Sequence, residues 1–161
     1  MLKQLAIAFL SVTLGGCSSF GVRYVPPDAS QDSAEIFSEG GVHILTFSDE
    51  GCYVGRTHIE KSTRLHAGKP VVMSFEDSPG RDRYCAVPFS FVPEKDAKYQ
   101  LVTGITQKDF GNKTIFGNPA MTTMCGVAVA KIGDGSSSST VPLTGLKMQQ
   151  VRFACIKASP K

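Results

Sequence analysis

One short segment of the chain has residue types that could bind an anion directly. Residues 78–84 read Ser-Pro-Gly-Arg-Asp-Arg-Tyr, so Arg81 and Arg83 flank an aspartate after a Pro-Gly turn. A guanidinium group can donate two parallel hydrogen bonds to one carboxylate or phosphate. Tyr84 adds an aromatic stacking face. The simpler interpretation is a hairpin turn in which both arginines pair with nearby carboxylates. We favour the hairpin and keep Arg81, Arg83 and Tyr84 as a candidate binding loop.

No catalytic signature stands out in the sequence. The Gly-x-Ser-x-Gly motif that presents the nucleophile of many serine hydrolases is absent. Each of His43, His58 and His66 could act as a base, but nothing in their local context selects one. Adjacent carboxylates at 49–50 and 76–77 fall at predicted turns, where acidic residues stabilise the backbone. The sequence therefore predicts no catalytic residues and no cofactor, and it favours a binding protein over an enzyme.

The amino terminus has the features of a secretory signal peptide. A short head containing Lys3 precedes an apolar stretch over residues 5–14. About ten apolar residues suit the hydrophobic region of a signal peptide and are too few for a membrane-spanning helix. We therefore predict a signal peptide over residues 1–16 and an exported protein.

The end of the apolar stretch resembles the lipobox of bacterial lipoproteins, which places a cysteine after leucine and two small residues. Here the residues are Leu14, Gly15, Gly16 and Cys17. The resemblance implies cleavage before Cys17 and attachment of diacylglycerol and an acyl chain such as palmitate to it. Two or three acyl chains anchor a protein stably in a membrane, whereas one does not. The resemblance covers residues 1–17 and the tether behind them.

The residues after the lipobox cysteine bear on localisation. In Gram-negative lipoproteins an aspartate directly after this cysteine tends to retain the protein at the inner membrane, and this chain has Ser18 and Ser19 instead. The resemblance thus implies a lipid anchor in the outer membrane. It leaves open whether the folded domain faces the periplasm or the cell exterior.

The remaining four cysteines form an even set once Cys17 is lipidated. Disulfides persist in the cell envelope, and four cysteines allow three pairings. Successive spacings of 33, 40 and 30 residues do not match the short cysteine pairs of zinc sites, so no metal site is predicted. We favour Cys52 with Cys85 and Cys125 with Cys155, because each pair joins neighbouring predicted strands and closes a loop of similar length. Residue spacing alone does not choose among the three pairings.

The mature chain divides into a tether and a folded domain. Residues 17–41 are rich in Ser, Gly, Pro and acidic side chains, which predicts a flexible tether with one helical turn around Ser33 to Phe37. Residues 18–50 carry one basic and six acidic residues, a net charge of −5, whereas residues 51–161 carry 15 basic and eight acidic residues, a net charge of +7. We interpret these charges as solvated surface.

Residues 42–161 have the pattern of an all-β domain. Short β-branched and aromatic runs are separated by Gly, Pro and Asp, which predicts a single β-sandwich, immunoglobulin-like or related, of about seven to eight antiparallel strands. The predicted strands are Val42 to Ser48, Cys52 to Glu60, Pro70 to Glu76, Tyr84 to Val92, Lys98 to Thr106, Met124 to Ile132 and Met148 to Ile156.

Alternation along these strands predicts which side chains face the core. Cys125 shares a strand face with Val127 and Val129, and Cys85 shares one with Val87 and Phe89. By the same rule Val151, Phe153 and Cys155 should all point inward. Buried disulfides between strands are therefore expected.

Two function hypotheses follow. The first is an outer-membrane-anchored envelope lipoprotein that acts as a non-catalytic binding or structural module for an envelope protein or peptidoglycan. The second is an inhibitor of a cell-wall hydrolase, or a small envelope enzyme. For an inhibitor, residues 78–84 and 110–120 are the candidate protruding loops. Neither hypothesis includes a nucleic-acid partner.

Overall fold

The regular structure of the protein is entirely β-sheet wherever the chain is described. The computed structural model describes residues 21–80, 83–113, 119–133 and 137–161. Its strands are β1 (Ser33–Phe37), β2 (Val42–Phe47), β3 (Tyr53–His58), β4 (Ser62–His66), β5 (Val71–Gly80), β6 (Arg83–Phe91), β7 (Lys98–Lys113), β8 (Pro119–Ile132), β9 (Ser138–Thr140), β10 (Thr144–Arg152) and β11 (Cys155–Pro160).

The strands form two sheets that pack together, which is consistent with a β-sandwich. The smaller sheet has the strand order β4-β1-β7-β8-β9, and the larger sheet has the order β11-β10-β6-β5-β2-β3. The all-β class is confirmed. The prediction of seven to eight strands is wrong, because the described chain contains eleven. The prediction of purely antiparallel pairing is also wrong, since β1 runs parallel to β7.

The core lies between the two sheets. Alternate residues of β2 and β5, such as Ile44 and Met73, enter it and are almost completely buried. From the smaller sheet, Tyr99 packs edge-on against Phe91, with ring centroids 5.3 Å apart. Phe89 and Val129 are buried in the same cluster. The alternation predicted for the strands around Cys85 and Cys125 is therefore confirmed.

The segment predicted as tether and helical turn contains a core strand. Ser33–Phe37 forms β1, and its side chains Ala34 and Ile36 are buried. These alternate apolar residues have the two-residue period of a strand, and pairing with β4 and β7 satisfies the backbone. The helical turn is therefore wrong, and this part of the segment belongs to the folded domain.

Residues before β1 also contact the folded domain. The backbone N–H of Val22 donates to the carbonyl oxygen of Val54 on β3 at 3.1 Å. The N–H of Tyr24 donates to the Thr57 hydroxyl at 2.7 Å. This amino-terminal segment therefore lies along the outer edge of β3.

The last predicted strand, Met148 to Ile156, is instead two strands joined by a tight turn. β10 ends at Arg152 and β11 begins at Cys155, with Ala154 in the left-handed region at φ 58°. The turn leaves Val151 55% exposed and Phe153 97% exposed, so the prediction that both face inward is wrong. Cys155 is buried, as predicted.

The four cysteines form two disulfides, but the favoured pairing is wrong. Cys52 pairs with Cys155 with Cα atoms 5.1 Å apart, and Cys85 pairs with Cys125 with Cα atoms 6.2 Å apart. The first bond joins the two edges of the larger sheet, which approach each other where β3 contacts β11. The second bond links β6 to β8 and so connects the two sheets. The first of these four cysteines in the chain thus pairs with the last and the two middle ones pair with each other, because strand order in the sheets decides which cysteines meet.

The predicted signal peptide and the segment that resembles a lipobox lie outside the described residues. Residues 1–20, which include Cys17, are therefore not part of this description. Among the residues that are described, no helix is both long enough and apolar enough to cross a membrane.

Candidate functional site

The larger sheet carries a cluster of polar side chains on the face that points away from the core. On β2, Val42 and Ile44 enter the core, so His43 between them points to the opposite face. The strand register places His43 opposite His58 on β3 and opposite Ser74 on β5. Tyr84 on β6 lies beside β5, so the four adjacent strands β3, β2, β5 and β6 contribute to one surface. We call it the polar cluster, and its members are His43, Arg56, His58, Glu76 and Tyr84.

An ion pair spans the polar cluster diagonally. Arg56 lies opposite Leu45 on β2, whereas Glu76 lies two residues beyond Ser74, so their side chains meet across the row that contains His43. The Arg56 guanidinium donates to the Glu76 carboxylate. The Glu76 side chain is 16% exposed and the Arg56 side chain is 50% exposed. The negative charge of Glu76 raises the pKa of Arg56, and their hydrogen bond raises it further.

Tyr84 lies at the edge of this ion pair. Its side chain is 69% exposed, and it lies close enough to the Glu76 carboxylate for that group to shift its pKa. Partial burial raises the pKa of Tyr84, and the Glu76 carboxylate adds to the rise. Glu76 therefore binds the Arg56 guanidinium and lies beside the Tyr84 phenol, and both groups still contact solvent.

The two histidines of the cluster contact each other. Their ring centroids are 5.0 Å apart and the rings are tilted by 51°. Burial lowers the pKa of His43; the negative charge of Glu76 opposes this shift, and Arg56 and His58 add to it. The Nδ1 atom of His43 is buried and has no hydrogen-bond partner among the described residues. The folded protein therefore favours the neutral ring at His43.

This shift makes stability pH-dependent. The unfolded chain protonates His43 near its ordinary pKa of 6.5, and the folded chain does so only at lower pH. The free energy of unfolding should therefore fall as the pH drops below about 6.5. We expect the melting temperature of His43→Gln to fall less than that of wild type when the pH is lowered from about 7.5 to about 5. His66→Gln replaces a histidine outside the cluster and is the matched control. An equal pH dependence in His43→Gln and wild type would contradict this role of His43.

A groove of about 480 Å³ adjoins the polar cluster. Residues of β3, including Tyr53, Arg56 and His58, form one wall, and the amino-terminal segment contributes Arg23. The guanidinium groups and the phenol donate hydrogen bonds, and an exposed imidazole can donate or accept them. Arg23 and Arg56 bring two positive charges to the groove and Glu60 brings one negative charge, so the surface is suited to an anionic group such as a carboxylate or phosphate, or to polar hydroxyl groups.

The candidate binding loop is placed only in part. Tyr84 belongs to the polar cluster, Arg81 lies in the undescribed gap, and Arg83 begins β6 without a described side chain. One of the nearby carboxylates, that of Glu76, pairs with Arg56.

Sequence reasoning missed the polar cluster because its members lie far apart in the chain. The spacing between His43 and His58 does not reveal their contact, since the register of β2 with β3 sets it. The available signal was a polar residue at an alternate position between apolar ones, as at His43. The third histidine, His66, lies elsewhere and its Nε2 hydrogen-bonds the carbonyl of Val25 at 3.2 Å.

The protein thus consists of two packed β-sheets with two disulfides, and the polar cluster lies on the outer face of the larger sheet. Within the described ranges, no group of three or more His, Cys, Asp or Glu residues is arranged to hold a metal ion. No protein-family model, no curated protein and no solved structure matches the chain.

Proposed function

We propose that this protein is an envelope lipoprotein, anchored in the outer membrane through Cys17, that acts as a non-catalytic binding module. The lipobox at residues 14–17 supports the anchor. The two disulfides join strands that are distant in sequence, and such bonds persist in an oxidising envelope. The residues from Gly21 onward that lie along β3 shorten the tether between anchor and domain.

The polar cluster is the observation that carries the binding role. Its side chains project from four hydrogen-bonded strands, and Glu76 holds Arg56 in an ion pair beside Tyr84. A pre-positioned set of donors binds a ligand at a lower entropic cost than a mobile set. The ligand we propose is an anionic group of an envelope protein or of peptidoglycan, held by Arg56, His58 and Tyr84.

The anchor is tested by mass spectrometry of the mature amino terminus. We expect the chain to begin at Cys17 and to carry the added mass of two or three acyl chains. Cys17→Ser should abolish that mass and leave an uncleaved precursor or a mislocalised protein. Ser18→Ala is the matched control and should be processed normally. An unmodified terminus at another residue would refute the lipoprotein proposal.

The binding role is tested by photo-crosslinking in intact cells. A photoreactive phenylalanine analogue at Tyr84 should give a specific crosslinked species, because this position lies at the rim of the polar cluster. The same analogue at Phe153 is the control, since that side chain is 97% exposed on the β10–β11 turn, which carries no cluster residue. Identical product patterns at both positions, or products with lipid alone, would contradict a specific binding face.

A specific observation also favours the inhibitor alternative. The described parts of the two candidate loops, 78–84 and 110–120, belong to the ends of β5 and β7 and the starts of β6 and β8, whereas residues 81–82 and 114–118 lie outside the described ranges. The Cys85–Cys125 disulfide ties the β5–β6 and β7–β8 hairpins together, two residues after the start of β6 and six residues after the start of β8. Two joined hairpin ends could enter the cleft of a cell-wall hydrolase. Peptidoglycan hydrolysis measured with and without the protein tests this alternative.

A further inference from the structure

β7 has an unpaired edge along much of its length. On the side away from β8, it pairs with β1 through Lys98, Tyr99 and Gln100. β1 ends at Phe37, whereas β7 continues to Lys113. Beyond Gln100, no other described strand pairs with this side of β7. The position that β1 would occupy if it were longer is therefore open.

Backbone hydrogen-bonding groups of β7 point into this open position. The carbonyl of Ala97 accepts from the N–H of Glu35 at 2.9 Å, so Ala97 directs its carbonyl toward β1. Backbone groups alternate sides along a strand, and the β7–β8 register is regular from Lys98 to Asp109. The N–H and C=O groups of Thr103, Ile105 and Gln107 therefore face the same way. None of these groups makes a backbone hydrogen bond to described residues outside the β7–β8 ladder.

A notch of about 450 Å³ lies beside this edge. Thr103 and Ile105 of β7 form one wall, and Gly40 and Gly41 contribute no side chains to the other. Neighbouring strands lie about 4.8 Å apart, so an extended segment paired with β7 would occupy this notch. Two exposed carboxylates, Glu39 and Asp77, also line the notch.

The edge lacks the usual protection against pairing. Natural edge strands commonly carry charged residues or proline, which discourage the addition of another strand. Residues 101–107, the first half of the open edge, contain neither, and charged residues begin at Lys108. We propose that the β7 edge binds an extended peptide segment of a partner protein, which adds as a strand and carries basic side chains at alternate positions facing Glu39 and Asp77. This inference rests on the proposed binding role and names the partner chemistry for a second surface.

The test selects peptides from a phage-displayed random library of about ten-residue peptides. Wild-type protein is the bait, and Thr103→Pro/Gln107→Pro is the bait for counterselection. Proline removes two N–H donors on the open side of β7 and leaves the β8 ladder intact, so the variant should fold. We expect enriched peptides with Lys or Arg at every second position among β-branched residues.

Matched variants separate backbone pairing from side-chain contact. The selected peptide should bind Thr103→Pro/Gln107→Pro at least about tenfold more weakly than wild type, because two backbone hydrogen bonds are lost. Thr103→Ala/Gln107→Ala keeps both N–H groups and should change the affinity by less than about threefold. Glu39→Gln/Asp77→Asn should bind the basic peptide more weakly than wild type does. This variant should also no longer prefer the basic peptide to a version with Glu in place of Lys.

The peptide supplies a second arm that does not depend on variant folding. N-methylation of alternate peptide amides on the pairing side should abolish binding to wild type, and N-methylation of the other amides should not. The proposal is overturned if no peptide is enriched over the proline variant, if acidic sequences are selected, or if both N-methylated peptides bind equally. Failure here leaves the Cys17 mass and the Tyr84 crosslinks unchanged, so it is distinguishable from failure of the proposed function.

Discussion

Removal of the Cys52–Cys155 disulfide should strongly destabilise the protein. We expect Cys52→Ala/Cys155→Ala to lower the free energy of unfolding by about 4 to 5 kcal/mol and the melting temperature by about 15 °C. The bond spans 103 residues, so in the chain-entropy model it restricts the unfolded chain more than a shorter loop would. It also holds together the two edges of the larger sheet, and the Arg152–Glu50 ion pair is close to the same junction.

The matched control for this prediction is the other disulfide. The Cys85–Cys125 bond spans 40 residues, for which the same model gives about 4 kcal/mol. Hydrogen exchange distinguishes the two variants. Loss of Cys52–Cys155 should increase exchange first in β3 and β11, whereas loss of Cys85–Cys125 should increase it in β6 and β8. A smaller loss of stability for the Cys52–Cys155 pair, or the same exchange pattern in both variants, would contradict its role in closing the sheet.

A single methyl group at Gly55 should displace the amino-terminal segment. A Cβ atom at Gly55 would lie 2.5 Å from the carbonyl oxygen and 2.6 Å from the nitrogen of Val22. These are backbone atoms, so they cannot rotate aside as a side chain can. We expect Gly55→Ala to lower the free energy of unfolding by about 2 kcal/mol, because the hydrogen bonds of Val22 and Tyr24 to β3 are lost.

The control is a glycine with open space around it. No atom lies within 4 Å of a Cβ built on Gly104, so Gly104→Ala should change the free energy of unfolding by less than about 0.5 kcal/mol. Denaturant unfolding measures both variants, and limited proteolysis measures release of residues 21–27. Equal stability and equal proteolysis of the two variants would show that this segment does not depend on close contact with Gly55.

The sequence by itself was sufficient to predict an all-β chain and most strand positions. Alternating apolar residues and turn residues are local signals, so β2, β6 and the start of β7 lie where the pattern predicts them. Local signals failed at β1, where Ser, Asp and Glu around Ala34 and Ile36 were interpreted as a tether. They failed again at the β10–β11 turn, because a tight turn at Ala154 carries no glycine or proline in Phe153–Ala154.

Only the tertiary structure decided which distant residues meet. The order of β11, β10, β6, β5, β2 and β3 brings Cys52 to Cys155, although Cys85 is nearer to Cys52 in the chain. The register of β2 with β3 brings His43 to His58, and the early end of β1 leaves the edge of β7 open. Strand order and register depend on how two whole sheets bury their apolar faces, and that free energy is not contained in any single segment.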